Sequence, residues 1–274
     1  MNQKPFQLNT EQGAFRVAIH GREQAPVLVL SNSLGTTLEM WAPQVQALAN
    51  TFRVVCYDTR GHGGSPITPG PYDFAQLGKD VVAILDALQI EKASFCGISM
   101  GGHTGLWLAL HQPARFEAVV VCNSAAKIGT EQGWQERAAF LRKEGQRAMQ
   151  ALAKTAPERW FTSQYTQENE SVVQAMQAQL AQLSAQGYAA CCEALAQSDL
   201  RANLPRITIP MLFIAGQFDP VTTVKEAKSM QAAVANAQLC VVAASHLSNI
   251  EAPLAFNGAV LEFLDTTLSL DVVS

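Results

Sequence analysis

Short apolar runs rich in Val, Ile and Phe alternate with segments of helical length along most of this 274-residue chain. A strand buried on both faces reads as a continuous apolar run, so the alternation predicts a mostly parallel sheet flanked by helices, an α/β fold. The expected strands are 14–20, Val27–Ser31, Arg53–Tyr57, 93–97, Phe116–Cys122, Met211–Gly216 and 239–242, each bounded by Gly, Pro, Asn or polar turns. Between them, residues 72–88 predict a helix. Leu77, Val81, Ile84, Leu85 and Leu88 recur at three- and four-residue spacing there, giving one apolar stripe to lay on the sheet.

The rhythm breaks after Cys122. Residues 127–198 read as helix after helix, rich in Gln and Ala, and the Pro205 to Pro210 segment then punctuates a return to the earlier pattern. An inserted helical cap at 127–198 is therefore expected, interrupting one core made of residues 1–126 and 199–274. The Gln-rich stretch 174–186 carries Val, Met and Leu at helical spacing, which favours a helix over a low-complexity linker.

Composition narrows the picture. With 48% hydrophobic and 15% charged residues the chain can bury a large core. Lys+Arg 19 against Asp+Glu 23 gives a net charge of −4, which argues against nucleic acid as a partner. The N-terminus lacks the apolar stretch of a signal peptide, and no apolar run approaches the roughly 20 residues of a membrane span. A cytoplasmic location away from membranes is the expectation. The six cysteines are scattered, several inside apolar runs, and are expected to be buried reduced thiols.

The segment carrying most chemistry is Gly97-Ile98-Ser99-Met100-Gly101, where an apolar strand runs into Gly-x-Ser-x-Gly and then a helix. A tight strand-to-helix turn strains the serine backbone, leaves no room for side chains at Gly97 and Gly101, and holds the Ser99 hydroxyl over the sheet edge. The pentapeptide is short; its setting carries the weight.

A serine hydroxyl needs a base, and the base a carboxylate to orient it. Asp219 follows the strand Met211–Gly216, although an Asp before Pro220 also suits a turn or a helix cap. His246 follows the last strand, where a surface histidine is the plain alternative. Taken jointly, Ser99, Asp219 and His246 each follow their own strand, in the chain order of the α/β-hydrolases. His20, His62, His103 and His111 are explained by packing or solvent. No His, Cys or carboxylate cluster has metal-ligand spacing, and Gly61-His62-Gly63-Gly64 lacks the pattern of a dinucleotide loop, so neither metal nor cofactor is implied.

An acyl transfer needs fixed donors for the oxyanion. The backbone N–H of Met100 is the first, and that of Leu34, in Asn32-Ser33-Leu34-Gly35 after the strand Val27–Ser31, the second. Many α/β-hydrolases carry His-Gly where this chain has Asn32-Ser33. With that departure, the chain resembles the 3-oxoadipate enol-lactonase family of α/β-hydrolases over nearly its whole length. The resemblance rests on Ser31 to Thr36, Tyr57 to Gly63, Phe95 to Gly102, Arg159-Trp160-Phe161, Gly187 to Cys192, and Ala244 to Asn249. It implies the α/β-hydrolase fold and hydrolysis, in the β-ketoadipate route of aromatic catabolism, of a small anionic lactone to 3-oxoadipate. A generic carboxylesterase, a perhydrolase, a carbon–carbon bond hydrolase or a small-molecule receptor could be built on the same triad.

A substrate carboxylate needs a local cation, because a protein of negative net charge offers an anion no general steering. The cap offers Arg137, Arg142 and Arg159, with Trp134 and Trp160 as walls, since Arg binds carboxylates bidentately and an indole packs flat against a small ring. For each Arg a solvated helix face is the simpler role.

Overall fold

The computed structural model describes residues 4–270. Eight strands, β1 (Phe6–Thr10), β2 (Gly13–His20), β3 (Val27–Ser31), β4 (Arg53–Tyr57), β5 (Ala93–Ile98), β6 (Phe116–Cys122), β7 (Met211–Gly216) and β8 (Ala237–Val242), form one sheet in the order β1-β2-β4-β3-β5-β6-β7-β8. From β4 to β8 every neighbouring pair is parallel, and β2 runs antiparallel to both β1 and β4.

All seven expected strands form, and the structure adds β1. Phe6-Gln7-Leu8-Asn9-Thr10 holds only two apolar residues, too few to read as a strand, but a turn at Glu11-Gln12 pairs it with β2 in a hairpin. The expected helix at 72–88 is Phe74–Ala87, because Asp73 caps it with a 2.7 Å bond from the Gln76 N–H. Its stripe is buried at Leu77, Val81, Ile84 and Leu85, while Leu88 at the end stays half-buried.

The strands bury alternate residues on opposite faces. In β5, Ala93 and Phe95 join one apolar cluster while Cys96 and Ile98 join the other. Five cysteines are buried and Cys240 is partly so, all six as free thiols.

Six helices, from Glu131–Glu144 to Ala185–Gln197, fall between β6 and β7. Their Leu141, Met149, Leu180 and Tyr188 belong to the same apolar cluster as Leu30, Cys96 and Ile98 of the sheet, so cap and sheet share one core. The backbones of cap and core approach tightly between Gly61, after β4, and Gly187: a Cβ on Gly187 would lie 2.1 Å from the Gly61 carbonyl oxygen. Two glycines thus seat this helix directly on the core backbone, over the carboxyl edge of the sheet. No described helix is long and apolar enough to cross a membrane.

Candidate active site

Ser99 sits between β5 and the helix Met100–His111 with φ 56 and ψ −114, a conformation non-glycine residues rarely adopt. Such a backbone costs on the order of 1–3 kcal/mol and persists only where its surroundings over-determine it. They do so here. The Ser99 N–H donates to the Cys122 carbonyl at 2.9 Å, and the Ser99 carbonyl accepts from the Ser124 hydroxyl at 2.7 Å and the His103 N–H at 2.9 Å. The flanking glycines are forced by crowding. A Cβ at Gly97 would meet the Gly101 carbonyl, and one at Gly101 the Ser31 carbonyl, both at 2.3 Å.

Asp219 and His246 follow β7 and β8 and meet above the same edge: the Nδ1–H of His246 donates to Asp219 Oδ2 at 2.8 Å. This contact fixes the tautomer and leaves Nε2 as the acceptor. Asp219 is buried and further held by the Val221 N–H at 2.7 Å, the Thr222 N–H at 3.0 Å, the Thr222 hydroxyl at 2.8 Å and the Asn123 amide at 3.0 Å. Burial pushes its carboxyl pKa up, but the adjacent His246 and these hydrogen bonds outweigh it and leave Asp219 below its ordinary value. It is thus an ionised acceptor at neutral pH.

Ser99 and His246 line one cavity of about 310 Å³, together with Leu34, Trp134, Arg137, Arg159, Trp160 and Tyr188. The structure therefore brings four of the five expected cap residues beside the serine. Arg142 is the exception and a correction. It lies outside the cavity lining, with its guanidinium donating to both Glu193 oxygens at 2.9 and 2.7 Å. Arg142 is five residues beyond Arg137 on one helix, about 140° around its axis, so the two cannot face the same way. Arg137 is three residues from Trp134 and lies over its ring at 4.8 Å, while the indole N–H donates to the Ile128 carbonyl. Among the described residues no Asp or Glu lines the cavity. Burial lowers the pKa of Arg159 and Arg137 nearby adds to that, against opposing contributions from Tyr188 and Glu158.

Leu34 also lines the cavity, on a loop fixed from below. Asn32 donates to the Tyr57 carbonyl at 2.9 Å, accepts the Trp41 indole N–H at 2.8 Å, and takes the Gly101 N–H on its own carbonyl at 3.1 Å. The side chain of the Asn that departs from the common His-Gly pattern thus anchors the loop to Tyr57 and Trp41, while its backbone carbonyl meets the nucleophile turn. Among the described residues, neither the Leu34 nor the Met100 N–H has a protein acceptor, as donors held for an incoming oxyanion require.

Three contributors escaped the sequence reading. His62 accepts the Gly35 N–H, Asn123 holds Asp219, and Tyr188 walls the cavity. For Asn123 a signal existed, since it follows β6 at the same sheet edge as the triad. For His62 none did, because its partner lies 27 residues away.

Comparison with known proteins gives the family. Residues 26–253 match the family model for the alpha/beta hydrolase fold. The chain is 50% identical over 253 residues to 3-oxoadipate enol-lactonase 2 of Acinetobacter baylyi, covering 92% of this chain and 94% of that one. To 3-oxoadipate enol-lactonase 1 of the same organism it is 49% identical over 248 residues, covering 90% and 92%. The crystal structure of the enol-lactonase from Burkholderia xenovorans LB400 superposes with a TM-score of 0.92 at 42% identity, covering 95% of this chain and 100% of that one. A match of the family model over most of the chain, with about half of all residues identical to two 3-oxoadipate enol-lactonases across nine-tenths of its length, settles the family: this chain belongs to the alpha/beta hydrolases, together with the 3-oxoadipate enol-lactonases.

Proposed function

We propose that this protein hydrolyses 3-oxoadipate enol-lactone to 3-oxoadipate, with Ser99, His246 and Asp219 as its triad. Ser99 attacks the ring carbonyl while His246 Nε2 takes its proton, and the oxyanion is received by the N–H groups of Leu34 and Met100. Collapse breaks the ring C–O bond, and the imidazolium protonates the departing enolate, a better leaving group than a simple alkoxide. The neutral imidazole then takes a proton from water, whose oxygen attacks the acyl carbon, and Ser99 leaves with that proton. The freed enol relaxes to the ketone. Ionised Asp219 stabilises the imidazolium in both halves.

The observation that supports this substrate over a simple ester is the pair Arg137 and Arg159, in the serine's own cavity with no acidic residue among its lining. A lactone bearing one free carboxylate supplies the missing charge, and Arg grips it through parallel hydrogen bonds. Trp134 and Trp160 give the ring an apolar seat.

The test compares kcat/KM for the enol-lactone and for uncharged aryl acetates with purified protein. The lactone should be preferred by at least about 100-fold, the scale of a desolvated charge–charge contact. Equal or better turnover of the aryl esters assigns a generic esterase instead.

A further inference from the structure

Glu251 lies outside the catalytic cavity, yet it is the point where cap and base meet. Its Oε2 accepts the Ser245 N–H at 2.8 Å, and its Oε1 accepts the Thr162 hydroxyl at 2.5 Å and the Thr162 N–H at 3.2 Å. Ser245 immediately precedes His246, and Thr162 lies three residues after Arg159. On the other side of His246, the Leu247 N–H donates to the Trp160 carbonyl at 2.9 Å. The histidine is thus bracketed on both sides by bonds to the short segment 160–162, which extends from the residues that wall the cavity. Among the described residues Glu251 makes no ion pair, and the hydrogen bonds its carboxylate accepts come from Ser245 and Thr162.

A carboxylate accepting several hydrogen bonds at once holds its donors in a fixed relative geometry, and charge-assisted bonds are about twice as strong as neutral ones. We propose that Glu251 is a positioning residue that locks the cap segment carrying Arg159 and Trp160 to the loop carrying His246, so that the substrate's carboxylate and its scissile carbonyl are placed by one rigid unit. A lactone held by Arg159 is then in register with the base without separate adjustment. This is how a residue remote from the reacting atoms affects rate, because misplacing a reacting pair by about 1 Å costs on the order of 100-fold. The lactonase reading enters only through the anionic substrate; the effect on His246 applies to any ester.

The test follows both substrates, enol-lactone and p-nitrophenyl acetate, in E251A, E251Q and T162V. E251A should lower kcat about 10- to 100-fold on both substrates and raise KM for the lactone alone. E251Q, which keeps one oxygen able to accept the Ser245 N–H, should recover much of the kcat. T162V, which removes only the hydroxyl bond, should act chiefly on KM for the lactone. A residue that merely stabilises the fold would lower the melting temperature and leave kcat on both substrates within twofold in all three variants; that result overturns the proposal. Should E251A fail to fold, E251D, one methylene too short to reach Ser245 and Thr162 together, should lower kcat on both substrates at least about fivefold, and a kcat within twofold of wild type there overturns the proposal. Wild-type protein that ignores the lactone sinks the lactonase reading alone, while the kcat of E251A, or of E251D, on the aryl ester still decides whether Glu251 positions His246.

Discussion

The backbone N–H of Gly35 donates to the Nε2 of His62 at 2.9 Å, so a buried imidazole holds the loop that presents the Leu34 N–H to the cavity. A histidine accepting at Nε2 is neutral, and its Nδ1–H faces the Arg60 carbonyl at 3.4 Å. Burial keeps it neutral by pulling its pKa down to about 4. Replacing His62 by Phe should release the loop and lower kcat about tenfold or more with little change in KM, since loss of a whole oxyanion donor costs about 100- to 1,000-fold. Steady-state kinetics on His62→Phe with kcat unchanged would show that the loop holds itself.

His103 is buried in the same way, between the Ala125 carbonyl at 2.8 Å and the Ser198 hydroxyl at 2.7 Å, with its pKa also pulled down to about 4. Between about pH 6.5 and pH 4 the unfolded chain binds two protons that these native imidazoles refuse. Stability from them is complete above pH 6.5 and falls as the pH drops toward 4. Asp80, pushed up to about 6 by burial despite its pairing with Arg60, works in the opposite sense over part of this range. Asp58, also raised by burial, joins Asp80, whereas the lowered pKa values of His20, Asp219 and Glu39 add to the loss at low pH and tip the balance the same way as His62 and His103. Urea unfolding should therefore show a midpoint that declines from pH 6.5 to pH 4.5; a midpoint that holds or rises would contradict this account.

Asp219 fixes the His246 tautomer through the Nδ1 contact. Asp219→Asn keeps the shape but can donate where it should accept, which turns the ring the wrong way round. In another hydrolase with this triad such a change costs about 10⁴ in kcat, and a similar order is expected here, with Ser99→Ala at least as severe. Both variants should fold normally, as circular dichroism and thermal melts would check. Full activity in folded Ser99→Ala would remove the mechanism.

Arg159 and Arg137 should be separable from Arg142 by KM. If each binds the carboxylate equally in ground and transition states, Arg159→Ala and Arg137→Ala raise KM for the lactone about 10-fold or more and leave kcat nearly unchanged. Arg142→Ala, whose guanidinium is engaged with Glu193, should leave KM as it is. The three KM values read side by side check the geometry directly.

The strand runs and the three residues placed after them were legible in the chain, because a strand buried on both faces is a local apolar signal and Gly-x-Ser-x-Gly is a local steric one. The separation of Arg142 from Arg137 was equally readable, since five residues on a helix amount to about 140° of rotation. β1 was hidden, for its alternation is short and its partner strand supplies the stability. What only the tertiary structure decided is who meets whom across the chain. Asn123 against Asp219, His62 under Gly35 and Glu251 against Thr162 are pairings of residues 27 to 96 apart. Each is a single polar contact closed by folding of the whole sheet and cap, and no local periodicity encodes such a contact. Sequence fixes side-chain type and the face it occupies; the closing of long loops alone sets the distance between two such faces.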